Sequence, residues 1–254
     1  MLHMIPHGPE NGSETDTPLV IAHGLFGSGR NWGVIAKRLA NHRRVIALDM
    51  RNHGASPWYE DHSYHALAAD IAEVAKSLGQ PIDLLGHSMG GKAAMVAALS
   101  GTPIRRLIVA DIAPVRYTHS QQPVIDAMQS VPLNHITSRA EADQALSAHI
   151  DDPALRSFLL QSLNTTARRW RLNLPALSAS MDDIIGFPDI SGCFTAPTLF
   201  LTGALSDYLR PEHRPIIKAL FPKARFAKIP QAGHWLHAEK PREFEAAVRI
   251  FLEA

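Results

Sequence analysis

Only one cysteine, Cys193, occurs in the 254-residue chain. An internal disulfide is therefore excluded, and a chain of this kind suits a reducing compartment. Cys193 itself reads as a small buried hydrophobe. No apolar run approaches the ~20 residues of a membrane-spanning helix. The start, Met1-Leu-His-Met-Ile-Pro, has no basic stretch followed by an apolar one, so it does not read as an export signal. A cytoplasmic, soluble protein without stable membrane insertion is the expectation. Long Lys or Arg runs are missing too, and the formal net charge is +1. That balance lacks the electrostatic footprint of a nucleic-acid or anionic-membrane partner. Internal repeats and low-complexity tracts are also absent, which leaves small molecules as the expected partners.

What remains is a globular composition, with 46% hydrophobic and 19% charged residues, long enough to bury one sizeable core. Short apolar runs predict strands over Pro18 to Ala22, Arg44 to Leu48, Ile82 to Leu85, Leu107 to Ala110, Thr198 to Leu201 and Phe226 to Ile229. Helical patterns lie between them, over Trp32 to Asn41, Tyr64 to Leu78, Met89 to Leu99, Pro211 to Leu220 and Arg242 to Leu252. Strands alternating with helices predict an α/β fold with a mostly parallel sheet. The rhythm stops between Pro114 and Gly192, where no strand-like run occurs and Val124 to Gln129, Arg139 to Ala148 and Trp170 to Ile185 read as helices. Residues 115–191 are therefore expected to form a helical cap inserted into a core made of 1–114 and 192–254. Pro6 to Pro18, rich in Gly, Pro, Ser and acids, reads as an exposed loop.

Gly86-His87-Ser88-Met89-Gly90 matches G-x-S-x-G at a strand-to-helix turn. In that setting the pattern is a nucleophile elbow: the turn is tight enough to strain Ser88, and residues without bulk at 86 and 90 let strand and helix approach. The start of the next helix presents free N–H groups and a positive dipole end. A serine hydroxyl needs a base. Of 14 histidines, His234 is the candidate, because Gln231-Ala-Gly-His-Trp235 follows the last strand and precedes the final helix. His237 is expected to be a structural or surface residue, and most other histidines exposed or locally bonded. Two acids compete to orient the base. Asp207 follows the strand Thr198 to Leu201, and Asp111 ends the strand Leu107 to Ala110; position slightly favours Asp207. Oxyanion donors are expected from the backbone N–H of Met89 and from the loop His23-Gly-Leu-Phe-Gly27, with Leu25 ahead of Phe26 and His23 bracing the loop.

Gly86-His-Ser-Met-Gly-Gly-Lys92, His23-Gly-Leu-Phe-Gly-Ser28, Asp49-Met-Arg-Asn-His-Gly54 with Ser56, Asp111-Ile-Ala-Pro114 and Gly233-His-Trp-Leu-His-Ala-Glu239 together resemble the YbfF-type esterases of the α/β-hydrolase superfamily. The resemblance spans almost the whole chain and extends to mitochondrial α/β-hydrolase-domain proteins and yeast ethanol acetyltransferases. It implies an α/β-hydrolase fold, and it moves the acid to Asp111, which matches the Asp-Ile-Ser/Ala-Pro segment of those proteins. Asp207 is a departure, since many of them have no acid there.

The expected activity is hydrolysis of short- to medium-chain acyl esters or thioesters through an acyl-enzyme, with Ser88, Asp111 and His234 catalytic and Leu25 and Met89 at the oxyanion. Two other readings stand beside it: an alcohol acyltransferase using a thioester donor, and a non-catalytic ligand-binding or regulatory homologue. A serine at the elbow disfavours dehalogenase and epoxide hydrolase chemistry, which need a carboxylate there. No cofactor is implied, and no metal, because no third ligand accompanies His234 and His237 at diagnostic spacing. Arg116, Tyr117, Arg168, Arg169, Trp170 and Arg171 read mostly as a solvated helix face of the cap. In a minority reading, some of these arginines hold the phosphates of an acyl-CoA.

Overall fold

The structure is a computed structural model that describes residues 1–8, 17–41 and 43–254. The chain runs through β1 (His3–His7), β2 (Leu19–Ala22), α1 (Gly33–Leu39), β3 (Val45–Asp49), α2 (Tyr64–Ser77), β4 (Ile82–His87), α3 (Met89–Leu99) and β5 (Ile104–Ala110). It then enters α4 (Gln122–Ser130), α5 (Arg139–Ser147), α6 (Pro153–Leu159), a two-residue ladder of β6 (Leu163–Asn164) and β7 (Arg169–Trp170), α7 (Leu174–Ala179) and α8 (Met181–Ile185). It closes with β8 (Thr198–Gly203), α9 (Arg214–Leu220), β9 (Ala224–Ile229), α10 (Leu236–Glu239) and α11 (Pro241–Glu253).

Among the described residues, seven strands form one sheet in the order β1-β3-β2-β4-β5-β8-β9, parallel except where β1 meets β3. Strands β2, β3, β4 and β8 are buried from end to end. Both of their faces are covered, which is why they read as unbroken apolar runs rather than alternating ones. One apolar layer joins the sheet to α2, α3 and α9. The other joins it to α1, α10 and α11. A third cluster gathers the apolar side chains of the helices between β5 and β8, and Phe26, from the loop after β2, is the buried residue that enters it from the sheet side.

Three details differ from the sequence reading. His3–His7 is an edge strand, with Pro6 opposite Ile46; it pairs on one side only, where a proline without an N–H is tolerated. Pro6 and His7 therefore leave the expected exposed loop, and most of that loop, residues 9–16, lies outside the described residues. The stretch from Trp170 to Ile185 is broken. Trp170 pairs through β7 with Leu163 and donates its indole N–H to Met128 O at 2.9 Å. Asn173 N and Gly54 N then bind Asn52 O and Arg171 O, tying this stretch to the loop after β3. Cys193 is exposed rather than buried, in the loop that returns to β8.

Asn173 both caps α7, through Ala176 N, and donates its side-chain amide to Asn52 Oδ1 at 3.1 Å. Asn173→Ala should therefore lower stability by about 1–2 kcal/mol, read as a shifted urea midpoint.

Candidate active site

The turn between β4 and α3 puts Ser88 at φ 52° and ψ −120°. A non-glycine residue held in that region costs about 1–3 kcal/mol, and the surroundings leave no alternative. A methyl group on Gly86 would lie 2.3 Å from Gly90 O, and one on Gly90 would lie 2.3 Å from Ala22 O. Ser88 N donates to Ala110 O at 3.0 Å, which locks the turn to β5. The hydroxyl points into a cavity of about 320 Å³.

His234 comes from the loop between β9 and α10. Its Nε2 lies 3.1 Å from Ser88 Oγ, and its Nδ1 lies 2.7 Å from Asp111 Oδ2. Because a carboxylate only accepts, Nδ1 carries the proton and Nε2 is left free to accept from the serine. His87 Nε2 donates to His234 O at 2.9 Å, and Tyr208 stacks on the imidazole at 3.9 Å. Asp111 is fully buried just past β5, with φ 53°. Its Oδ1 accepts from Thr202 Oγ1 at 2.6 Å and Gly203 N at 3.1 Å, and its Oδ2 accepts from Ser206 Oγ as well as from His234.

Asp207 is not part of this group. It is exposed, and its backbone carbonyl accepts from Arg210 Nε. Ser206 and Tyr208, on either side of it, are what the loop after β8 sends to the site. Sequence reasoning missed Ser206 and Thr202, because neither a serine in a loop nor a threonine near a strand end carries a distinguishing pattern.

The loop after β2 is braced by buried histidines. His23 Nδ1 donates to Gly24 O at 2.7 Å while its Nε2 accepts from Met50 N at 2.9 Å. His53 Nδ1 donates to Arg51 O, and its Nε2 accepts from Phe26 N at 3.2 Å. That bond occupies Phe26 N–H and leaves Leu25 N–H, among the described residues, without a protein acceptor. Met89 N–H opens α3 and has no helical residue behind it to bond. Asp49 holds the Asp49-Met-Arg-Asn-His-Gly54 loop by accepting from Gly29 N and Ala55 N, each at 2.8 Å.

His237 is buried and stacks on Trp32 at 4.1 Å. His23 and His237 are buried structural residues, as expected; His53, His62 and His87 are buried too and bond residues 10 to 147 positions away, contrary to the expectation of exposed or locally bonded imidazoles.

The cavity is lined largely by apolar side chains, among them Leu25, Met89, Ile112, Phe158, Ile184 and Trp235. Of the cap residues singled out by sequence, Tyr117 lines it. Trp170 is in the third apolar cluster, while Arg168 and Arg169 are exposed at the β6–β7 ladder rather than on a helix face, and Arg171 follows that ladder. Arg116 is ion-paired with Asp182 at 2.7 Å.

Burial holds every one of these five imidazoles below the ordinary range: His23 is lowered, and His53 and His87 are well down. His62 is lowered to about 4 by burial and then by the Arg51 charge, and His237 to about 3 by burial and then by His234. They are neutral when folded, whereas the unfolded chain takes up protons near pH 6.5. Stability is thus fully present above that pH and is lost as pH falls toward the folded values, by about 1.4 kcal/mol per histidine per pH unit. Urea unfolding should show a loss of several kcal/mol from pH 7.5 to pH 5.5; equal midpoints at the two pH values would contradict it.

The alpha/beta hydrolase family model matches residues 19–247. The sn-1-specific diacylglycerol lipase of Mus musculus is 41% identical over 95% of this chain and 83% of its own. Esterase YbfF of Escherichia coli is 38% identical over 93% of each chain. A solved marine microorganism esterase superposes with a TM-score of 0.92 at 38% identity, covering 98% of both chains. With a family model matched over nearly its whole length and relatives this similar, the chain belongs to the alpha/beta hydrolase family.

Proposed function

We propose that the chain is a carboxylic-ester hydrolase in which Ser88, His234 and Asp111 act as a catalytic triad. The observation that carries this reading is the continuous hydrogen-bonded line Ser88 Oγ, His234, Asp111 at the wall of an apolar cavity. His234 Nε2 takes the Ser88 proton as Oγ attacks the acyl carbonyl. The backbone N–H groups of Met89 and Leu25 stabilise the tetrahedral oxyanion. His234 then passes its proton to the departing alkoxide, which leaves as the alcohol, and the acyl group stays on Ser88. A water gives its proton to His234 and attacks the acyl-serine; collapse returns the proton to Ser88 and releases the acid. Asp111 holds the imidazole tautomer and balances the imidazolium charge, with Ser206 and Thr202 fixing the carboxylate.

Residues 115–191 serve as the cap over this site, supported by Leu155, Phe158, Ile184 and Ile185 in the cavity wall. The cavity is at the small end for small-molecule sites, which favours short- to medium-chain acyl groups. Thioesters are open to the same chemistry. Arg168, Arg169 and Arg171 do not line the cavity, so neutral esters stand ahead of acyl-CoA as substrates. No helix among the described residues is long and apolar enough to cross a membrane, and a cytoplasmic setting fits the single, exposed Cys193.

Ser88→Ala should lower hydrolysis of p-nitrophenyl butyrate by roughly 10⁴- to 10⁶-fold and abolish labelling by a fluorophosphonate probe. A wild-type protein that the probe leaves unlabelled would instead be a non-catalytic member of the family. Added ethanol with product analysis separates hydrolysis from acyl transfer. Asp111→Asn should reduce kcat by about 10⁴-fold, through the wrong imidazole tautomer, while Asp207→Asn leaves it unchanged. The reverse ranking would return the acid role to Asp207.

A further inference from the structure

Lys92 lies four residues after Ser88, in a helix that is buried along almost its whole length. A lysine is rarely buried unless its charge is satisfied. Here the ammonium faces three consecutive carbonyls at the end of α8: Ile184 O at 3.5 Å, Ile185 O at 2.9 Å and Gly186 O. Carbonyls at a helix C-terminus have no partner inside the helix, so a cation suits them. The same helix end is held twice more, by Tyr64 OH on Ile184 O at 2.8 Å and by Tyr117 N on Ile185 O at 2.9 Å. Both tyrosine rings also flank the ammonium, at 5.6 Å and 4.8 Å. Lys92, Tyr64, Tyr117, Ile184 and Ile185 all line the cavity that Ser88 faces.

We propose that Lys92 is a positioning residue that pins the C-terminal end of α8 to the nucleophile's helix and so sets how long an acyl chain the cavity accepts. The proposal rests on the ester-hydrolase reading for its substrate, but not for the contact itself. Lys92 acts through the wall and not on the reacting atoms. Its protons are directed at carbonyls, which argues against a role in binding an anionic substrate.

Burial, with a smaller contribution from the Arg116 charge, lowers Lys92 to about 7. The charged and titratable groups that act on it are Tyr64 from α2 and Arg116, Tyr117 and His119 from the stretch after β5, while from α8 Asp182 pairs with Arg116 and Asp183 acts on Tyr64. The clamp is therefore at full strength below about pH 7 and weakens above it, as the ammonium loses its proton.

The test is the ratio of kcat/KM for p-nitrophenyl decanoate to that for p-nitrophenyl butyrate, followed from pH 6 to pH 8.5. Titration of the triad affects both substrates alike and cancels. In the wild type the ratio should rise across this range. In Lys92→Met it should already be raised about tenfold at pH 6, the effect of a methylene or so of pocket space, and stay flat. Lys92→Arg, which keeps its charge, should hold the low ratio at every pH. A Lys92→Met ratio equal to the wild-type value overturns the proposal. If Lys92→Met does not fold, Lys92→Gln, which keeps a donor without the charge, is measured instead, and a ratio equal to the wild-type value at pH 6 overturns the proposal. If the wild type hydrolyses neither ester, the ester-hydrolase reading fails on its own, and amide exchange in residues 181–186 decides the clamp. Faster exchange in Lys92→Met than in wild type supports it, and equal exchange overturns it.

Discussion

The close crossing of β4, α3 and β2 at Ser88 is the constraint on which the site depends. Gly86 and Gly90 allow backbone to touch backbone there, and the resulting turn forces the serine into a left-handed conformation that an ordinary loop would relax. Relaxation is blocked because Ser88 N is bonded to Ala110 O and α3 is packed into the core. The strain is thus held by burial of the whole helix, and the hydroxyl and the Met89 N–H emerge together on the cavity side.

A second consequence concerns the acid. Since Ser88 is tied to the end of β5, a carboxylate one residue beyond that strand is already close to the nucleophile, and Asp111 needs only a positive φ to face His234. A fully buried carboxylate is costly unless its lone pairs are engaged. Strand β8 and its loop engage them, through Thr202, Gly203 N and Ser206. The loop after β8 supplies a hydroxyl donor to the carboxylate, Ser206, while Asp207 faces solvent.

Most of the fold was legible in the chain because the central strands are buried on both faces and the helices between them have clear ends. The β1 strand was not, since none of its five residues is fully buried and its proline argues against pairing. The break after Trp170 was hidden because it depends on bonds to Asn52 and Gly54, more than a hundred residues earlier. At the site, Ser88 and His234 were visible through local turn chemistry. The rivalry of Asp111 and Asp207 was not resolvable by spacing, because both follow strands at the same edge of the sheet. The resemblance to known esterases pointed to Asp111, and the hydrogen bonds agree. Lys92 stood inside the motif from the start, but a lysine after two glycines reads as a surface residue until its three carbonyl partners are seen.

Polar and apolar parts of the site are built on different supports, and this separates chemistry from selectivity. The groups that would handle charge, namely the imidazole, its carboxylate and the two backbone donors, are fixed by β4, β5, β8 and the histidine-braced loop after β2. Neutral buried histidines suit that bracing: each presents one donor and one acceptor at a fixed separation, and burial keeps the second proton away. The wall that meets an acyl chain is instead made of Leu, Ile and Phe from the segment between β5 and β8, where substitutions of similar volume are tolerated. The two supports meet at several joints, among them Phe26 in the third apolar cluster, Lys92 of α3 against the carbonyls that end α8, and the bonds of Asn52 and Gly54 to Asn173 and Arg171. Change in the segment between β5 and β8 can therefore alter what fits the cavity without moving Ser88, provided those joints are kept.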